Sequence, residues 1–332
     1  MTTSASGPAP TPIRFGVIGP GRAGARFAEG LRGVPDATLA AVWGRKAHKA
    51  QSYAERFAVP ITAPSLEELL AAPIDAVYIA THPDSHAELA CTALQAGKHV
   101  LCEKPAALNA AQVRRIVETA KQHNRLFMEA MKPPFFPLYQ RLRTHLAADP
   151  IGPIGYVRAG HCDSSRAPDY PLHFAELGGG GIMGIGPYEA FLALDWLGPL
   201  VSVQTMGRVS PAGVDNFALF QTEHKNGMAQ LHTGLDLLSR GDAMICGTTG
   251  YVMIHENWWN PVRATVVYGS GRKVELEEPY EHGGFNYETE HFCKLVREGK
   301  LESAEITHAL SIGMAELLER ARTALGVRFP GE

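Results

Sequence analysis

The sequence predicts an α/β fold in two parts: an N-terminal doubly wound parallel sheet, then an α+β part built on a large, mostly antiparallel open sheet. Three observations predict it. Strand-like and helix-like patterns alternate over the first 130 residues. The first apolar run, IRFGVIGPGRAG from Ile13 to Gly24, enters a turn with Gly19, Gly21 and Gly24 spaced G-x-G-x-x-G. The second half holds eight strand-like runs, largely joined by turn-length connections such as His224 to Gly227 and Thr248-Thr249, as expected where neighbouring strands are antiparallel.

Taken in order, Phe15, Val17 and Ile18 read as a buried strand, Ala23 to Leu31 as the helix after the glycine turn, and Leu39 to Trp43 as the next strand, which completes a βαβ unit. Further strands are expected at Ala76 to Ala80, His99 to Cys102 and Leu126 to Glu129. Crossover helices are expected at Ala47 to Phe57, Leu66 to Leu70, His86 to Ala96 and Ala110 to His123, the last with Val113, Ile116, Val117 and Ala120 at helical spacing. Lys132-Pro133-Pro134 breaks the alternation, so a first domain is expected over 13–132 and a second over 133–332, with residues 1–12 a frayed Pro-rich tail. In the second domain a helix at Tyr139 to Ala147 precedes strands at Tyr156 to Cys162, Val201 to Val209, Asn216 to Glu223, Met228 to Leu235, Asp242 to Gly247, Gly250 to His255, Ala264 to Tyr268 and Arg272 to Leu276. Helices at Tyr188 to Trp196, Tyr287 to Glu298 and Thr307 to Leu325 complete it. A bare sheet face of that size needs a cover, so a homodimer or homotetramer through the open sheet is expected.

Composition narrows the function. The 332 residues carry a net charge of -3 and form no Lys/Arg stripe with interleaved aromatics, which argues against nucleic acid as a partner. Five cysteines, widely spaced and without C-x-x-C, suit reduced thiols in the cytoplasm. No run reaches membrane-spanning length, and the N-terminus lacks the basic start and apolar stretch of a signal peptide.

The glycine turn carries chemistry. Gly19 permits a tight turn, Gly21 lets backbone approach a pyrophosphate, and Gly24 lets the helix pack on the sheet, so a dinucleotide phosphate would meet the helix N-terminus across Arg22 and Ala23. At the end of the second strand stands Trp43-Gly44-Arg45-Lys46, where NAD-binding proteins usually place a carboxylate for the ribose 2'-hydroxyl. Arg45 and Lys46 offer instead a charge-assisted site for a 2'-phosphate, so NADP is preferred, with NAD the alternative. His82 and His86 are four apart, but Pro83 between them argues against one continuous helix and no third ligand is near in sequence, so no metal site is expected.

Four segments in this order and spacing, the Gly19 turn, Ala80-Thr81-His82-Pro83 with His86, Glu103-Lys104-Pro105, and Gly178-Gly179-Gly180 followed by Ile185-Gly186-Pro187-Tyr188, resemble the Gfo/Idh/MocA oxidoreductases over nearly the whole chain. The tyrosine at position 188, with the segments Glu256 to Pro261 and Gly284 to Glu288, makes it most similar to the dimeric dihydrodiol dehydrogenase and sugar dehydrogenase branch. The resemblance implies a Rossmann domain binding NAD or NADP, hydride transfer at a carbon bearing hydroxyl or carbonyl, a loop of Thr81, His82, Pro83 and His86 along the nicotinamide, and a cis Lys104-Pro105 bond. Glu103 and Lys104 would stand on the cofactor edge. The sequence departs from the family in carrying Gly184 where an Asp is common, and Lys132 where an aromatic often follows.

Lys104, projecting from a strand's carboxyl end, would hydrogen-bond cofactor ribose and substrate oxygen, and would lower the pKa of Tyr188, the candidate acid and base. Substrate contacts are expected from Lys104, Asp163, Arg166, His173, Tyr188 and Trp258. Polar groups and an aromatic surface together suit a carbohydrate or cyclic diol. The alternatives are a redox-neutral enzyme using tightly bound NADP, and a non-catalytic NADP sensor.

Overall fold

In the computed structural model, which describes residues 11–165, 167 and 169–330, two sheets share one continuous core. The first has six strands: β1 (Ile13–Ile18), β2 (Ala37–Trp43), β3 (Ile61–Thr62), β4 (Ala76–Ile79), β5 (His99–Glu103) and β6 (Phe127–Ala130). They lie in the order β3-β2-β1-β4-β5-β6, and every pairing is parallel. Strands β1, β4, β5 and β6 are buried on both faces over most of their length, which is why Val17, Ile18, Val77 and Ile79 are all apolar. The order reverses between β1 and β4, and ligands of such sheets bind at the carboxyl ends beside that reversal.

The crossover helices are α1 (Arg22–Gly30), α2 (Ala47–Phe57), α3 (Leu66–Ala71), α4 (Pro83–Gln95) and α5 (Ala110–Gln122). Local chemistry sets their starts. The side chains of Ser65 and Asn109 accept from the N–H groups of Glu68 and Gln112 at 3.1 and 2.9 Å. Helix α4 begins three residues earlier than expected because Pro83 occupies its first turn, where a missing N–H costs nothing. Pro83 therefore opens the helix and does not separate it from His86. The two-residue β3 escaped the sequence reading because so short a run shows no period.

After α6 (Pro137–Ala148) comes the second sheet: β7 (Ile154–Cys162), β8 (Leu200–Val209), β9 (Asp215–His224), β10 (Gly227–Gly234), β11 (Ala243–Gly247), β12 (Gly250–Ile254), β13 (Arg263–Tyr268) and β14 (Lys273–Glu277). Its order is β14-β13-β12-β11-β7-β10-β9-β8. Only β7 with β10 is parallel. The short α7 (Gly181–Gly184), not foreseen, and α8 (Gly186–Leu197) follow the glycine run. Helix α9 (Phe285–Arg297) returns to the first sheet, where Phe292 meets Phe15 with ring centroids 5.7 Å apart. Helix α10 (His308–Ala324) likewise brings His308 to Phe127, whose carbonyl it meets at 3.2 Å. The C-terminal helices thus close the back of the dinucleotide-type sheet, a long-range packing that helical period alone does not reveal.

Candidate active site

At the carboxyl edge of the first sheet the glycine turn has the shape an anion needs. Gly19 has φ +97°, and a Cβ there would stand 2.8 Å from the Ala80 backbone. A Cβ on Gly24 would stand 2.7 Å from the Gly19 carbonyl, so only glycine lets α1 pack this closely. Around Gly21 a Cβ would meet nothing within 4 Å. That open side lies at the start of α1, which no side chain caps, so the first N–H groups at Arg22, Ala23 and Gly24 face it. These residues fit a dinucleotide pyrophosphate. The Arg22 guanidinium lies 4.2 Å from the centre of the Tyr170 ring, which reaches across from the segment after β7.

Arg45 and Lys46 are exposed at the end of β2, and Lys46 is the uncapped start of α2. His82 lies close enough to feel this cluster. Burial lowers its pKa, and the charges of Arg45 and Lys49 lower it further against Asp84. Thr81 accepts a hydrogen bond from the Ser85 hydroxyl at 2.8 Å and is half-buried beside it. His86 is placed differently from the expectation. Its ring is 1 % exposed, with Nδ1 2.9 Å from the Pro105 carbonyl and Nε2 3.2 Å from the Thr81 carbonyl. It ties the two cofactor-edge loops together from behind and does not face the cleft.

Lys104 follows β5, and its bond to Pro105 is cis. Glu103 accepts from the Tyr78 hydroxyl at 2.5 Å and from the Lys104 N–H at 3.2 Å. The Lys104 ammonium crosses to the second sheet's side, where it donates to the Gly184 carbonyl at 2.6 Å and stands 4.4 Å from the centre of the Tyr188 ring. Gly184 thus serves through its backbone.

Tyr188 lies in the first turn of α8, half-buried. Its expected pKa direction is reversed. Burial pushes the phenol well above its ordinary value, and Glu103, Glu288 and Glu189 push it further against Arg26. The nearby lysine lies over the ring face, while three carboxyl groups act on the hydroxyl. Glu189 and Glu288 were not foreseen, although Glu189 is the very next residue. Both are wholly buried, and Glu189 meets His161 Nδ1 at 3.3 Å.

The glycine run before α7 serves a carboxylate. Asp215 accepts from the Ile182 N–H at 2.7 Å, and a Cβ on Gly180 would stand 2.2 Å from its other oxygen. Burial pushes Asp215 up to about 7 against those backbone donors.

The substrate candidates divide. Trp258 is 0 % exposed, so it belongs to the core and not to the cleft. Its neighbour Trp259 is half-buried and stacks on His161 with centroids 3.7 Å apart. Asp163 caps its own loop through Ser165, and His173 lies half-buried in the turn before the glycine run. Arg166 lies outside the described residues. Lys132 donates to Asn260 Oδ1 at 2.8 Å, and burial lowers its pKa against Glu288 and Glu103. It therefore joins the two halves of the chain at the end of β6. Among the described residues no cluster of three His, Cys, Asp or Glu side chains is placed to hold a metal. Trp258→Ala is expected to cost about 3–5 kcal/mol of unfolding free energy. Denaturant titration checks this, and a loss below about 1 kcal/mol would contradict the core placement.

A glycine turn at the head of a reversing parallel sheet, with a lysine and a tyrosine converging on its carboxyl edge, defines a dinucleotide-binding oxidoreductase fold. Residues 13–131 match the family model described as an oxidoreductase family with an NAD-binding Rossmann fold, and residues 139–253 match the GFO/IDH/MocA C-terminal domain. The chain belongs to the Gfo/Idh/MocA oxidoreductase family. It is 32 % identical to a scyllo-inositol 2-dehydrogenase (NADP(+)) of Bacillus subtilis, over 96 % of this chain and 99 % of the relative. It is also 32 % identical to the trans-1,2-dihydrobenzene-1,2-diol dehydrogenase of Xenopus tropicalis, with the same coverage. Its structure is similar to the 3-ketoreductase KijD10 from Actinomadura kijaniata in complex with NADP and TDP-benzene, with a TM-score of 0.85, 26 % identity, and 95 % and 98 % of the two chains covered. No helix among the described residues is long and apolar enough to cross a membrane.

Proposed function

We propose that this chain is an NADP-preferring oxidoreductase acting on a secondary alcohol of a sugar or cyclic diol, or on the corresponding carbonyl. The observation that carries the reading is the meeting of Lys104 with Gly184 and Tyr188 across the two sheets, at the edge where a dinucleotide fits. The NADP named with the inositol dehydrogenase and the ketoreductase supports the cofactor.

When bound, the nicotinamide supplies or accepts the hydride. Lys104 holds the substrate oxygen through its Nζ, and Tyr188 exchanges that oxygen's proton at its own hydroxyl. In reduction the phenol gives its proton to the oxygen as the C–H bond forms. In oxidation the tyrosine takes it as the C–H bond breaks. Burial of the phenol, helped by the neighbouring Glu103, Glu288 and Glu189, favours the proton-donating state at neutral pH.

Titration with NADPH and NADH, combined with absorbance of the reduced nicotinamide over a panel of aldoses, inositols, cyclic diols and ketoses, tests the reading. Tight NADPH binding with turnover supports it. Binding without turnover on any compound moves the assignment to redox-neutral chemistry or sensing. Arg45→Ala is expected to raise the Kd for NADPH roughly 10- to 50-fold and leave NADH within about twofold, because one charge-assisted contact to the 2'-phosphate is lost. Equal weakening of both cofactors would remove Arg45 from that role.

The outward face of the second sheet fits a second copy of the chain. Met206 is 75 % exposed and Met228 55 % exposed there, beside Gln221 and Glu223, and a homodimer or homotetramer would cover these two apolar side chains. The double variant Met206→Glu, Met228→Glu is expected to halve the mass seen by light scattering. A wild type that is monomeric at micromolar concentration would overturn the assignment.

A further inference from the structure

Glu129 is the charged side chain of β6 and is only 2 % exposed, between Met128 and Ala130. A carboxyl in so apolar a strand costs stability unless its oxygens are paired. Here the pairing is partial. Oε1 accepts from the Ala106 N–H at 2.9 Å, whereas Oε2 makes no hydrogen bond among the described residues. A residue that breaks the local rule of its strand in this way is expected where a site is being held in place.

The register shows what is held. Cys102 lies opposite Glu129 and Glu103 opposite Ala130, so the carboxyl stands beside the point where the chain leaves β5 as Lys104-Pro105-Ala106. That turn is fastened at three places. Glu103 accepts from the Tyr78 hydroxyl, the Pro105 carbonyl meets His86 Nδ1 at 2.9 Å, and the Ala106 N–H is taken by Glu129. Burial pushes the Glu129 pKa up to about 7 and Glu103 adds to the rise, while the Ser311 hydroxyl of α10, the Ala106 N–H and the Lys104 ammonium act the other way. The charge of the lysine is thus felt at the carboxyl.

Lysine carries its ammonium on a flexible four-carbon stem, so the backbone from which the stem starts decides where the charge can stand. Nζ of Lys104 meets the Gly184 carbonyl at 2.6 Å. In a group that holds a reacting oxygen, a displacement of about 1 Å costs about 100-fold in rate.

We propose that Glu129 is a positioning residue for Lys104: by accepting from the Ala106 N–H it fixes the turn that aims the ammonium across the cleft. This inference rests on the Lys104 reading of the site. It is the place of the acceptor, and not the charge of the carboxylate, that does the holding.

Two variants of the full chain separate those properties. Glu129→Asp keeps the charge and draws the acceptor back by one methylene. Glu129→Gln keeps an acceptor in place and removes the charge. Glu129→Asp is expected to lower kcat about 10- to 100-fold, with KM and the Kd for NADPH within about threefold of wild type. Glu129→Gln is expected to recover at least about tenfold of that loss. A merely structural role would lower the melting temperature and leave kcat of the folded protein unchanged in both. Independently of turnover, acetic anhydride labelling of the cofactor-free protein, read by mass spectrometry against the exposed Lys225, reports how firmly Lys104 is held. Lys104 is expected to react at least about fivefold faster in Glu129→Asp than in the wild type, and near the wild-type rate in Glu129→Gln. Equal kcat in the two variants, wild-type kcat in Glu129→Asp, or Lys104 labelled there at the wild-type rate would each overturn the proposal. So would a kcat below a tenth of wild type in Glu129→Gln, whether or not Glu129→Asp folds. If the wild type turns over no compound, the dehydrogenase reading fails and the labelling rates alone decide the positioning.

Discussion

Replacing Lys104 with methionine is expected to lower kcat/KM by about a thousandfold or more while raising the Kd for NADPH less than about tenfold. Methionine fills a similar volume, so the loss isolates the charge and its hydrogen bonds. Nζ reaches the Gly184 carbonyl at 2.6 Å and the face of Tyr188 at 4.4 Å, which fixes a positive charge at the junction of the two sheets. A preorganised donor aimed at an oxygen that gains negative charge is worth about 3–4 kcal/mol in a water-poor site, and a thousandfold corresponds to about 4 kcal/mol. The carbonyl left behind belongs to a half-buried glycine that water can reach, so the stability cost is expected to stay near 1 kcal/mol. Steady-state kinetics in both directions, with circular dichroism to confirm folding, check this. A loss below tenfold would remove Lys104 from the chemistry.

Much of the first sheet was legible because parallel strands and their crossover helices write two distinct periods into the chain, as Val17 with Ile18, and Val113 with Ile116, Val117 and Ala120, illustrate. The glycine turn was legible because Gly19 and Gly24 are demanded by backbone contacts under 3 Å. What escaped the sequence depends on contacts between distant segments. Nothing local says that Trp258 is buried and Trp259 half-exposed, since both sit in an irregular loop without a period. Nothing in the turn at Leu172 announces that its methyl groups will occupy the side-chain space of Gly184, twelve residues on. His86 has the spacing of a cofactor contact, yet two carbonyls claim its ring from behind. The missing carboxylate at Gly184 was visible in the sequence, but its consequence needed the fold, because only there does the backbone carbonyl meet Lys104. The direction of the Tyr188 pKa was misjudged for the same reason: its burial, and the approach of Glu103 from β5 and Glu288 from α9, arise only in three dimensions, although Glu189 is its neighbour in sequence.

That convergence makes the tyrosine the site of the other large effect. Tyr188→Phe is expected to lower kcat by about 10²- to 10⁴-fold, the range for removal of a positioned acid or base, with little change in NADPH binding. Burial first, then Glu103, Glu288 and Glu189, raise the phenol pKa, so the neutral phenol predominates across neutral pH. The sign of the pH dependence follows for each direction. Reduction uses the protonated phenol as donor, and its kcat/KM should be flat with respect to this group from about pH 6 to 9. Oxidation needs the deprotonated form, whose population grows tenfold for each pH unit below the pKa, so log kcat/KM should climb with a slope near one over the same range. In Tyr188→Phe both the activity and that slope should vanish, whereas a residue that merely packed the cleft would lower the rate and leave the slope in place. Parallel pH profiles for the two directions in the wild type, or a slope that survives in the phenylalanine variant, would move the proton exchange to another group. Glu189 and Glu288 would be the first to examine, since both are buried against the same hydroxyl's surroundings.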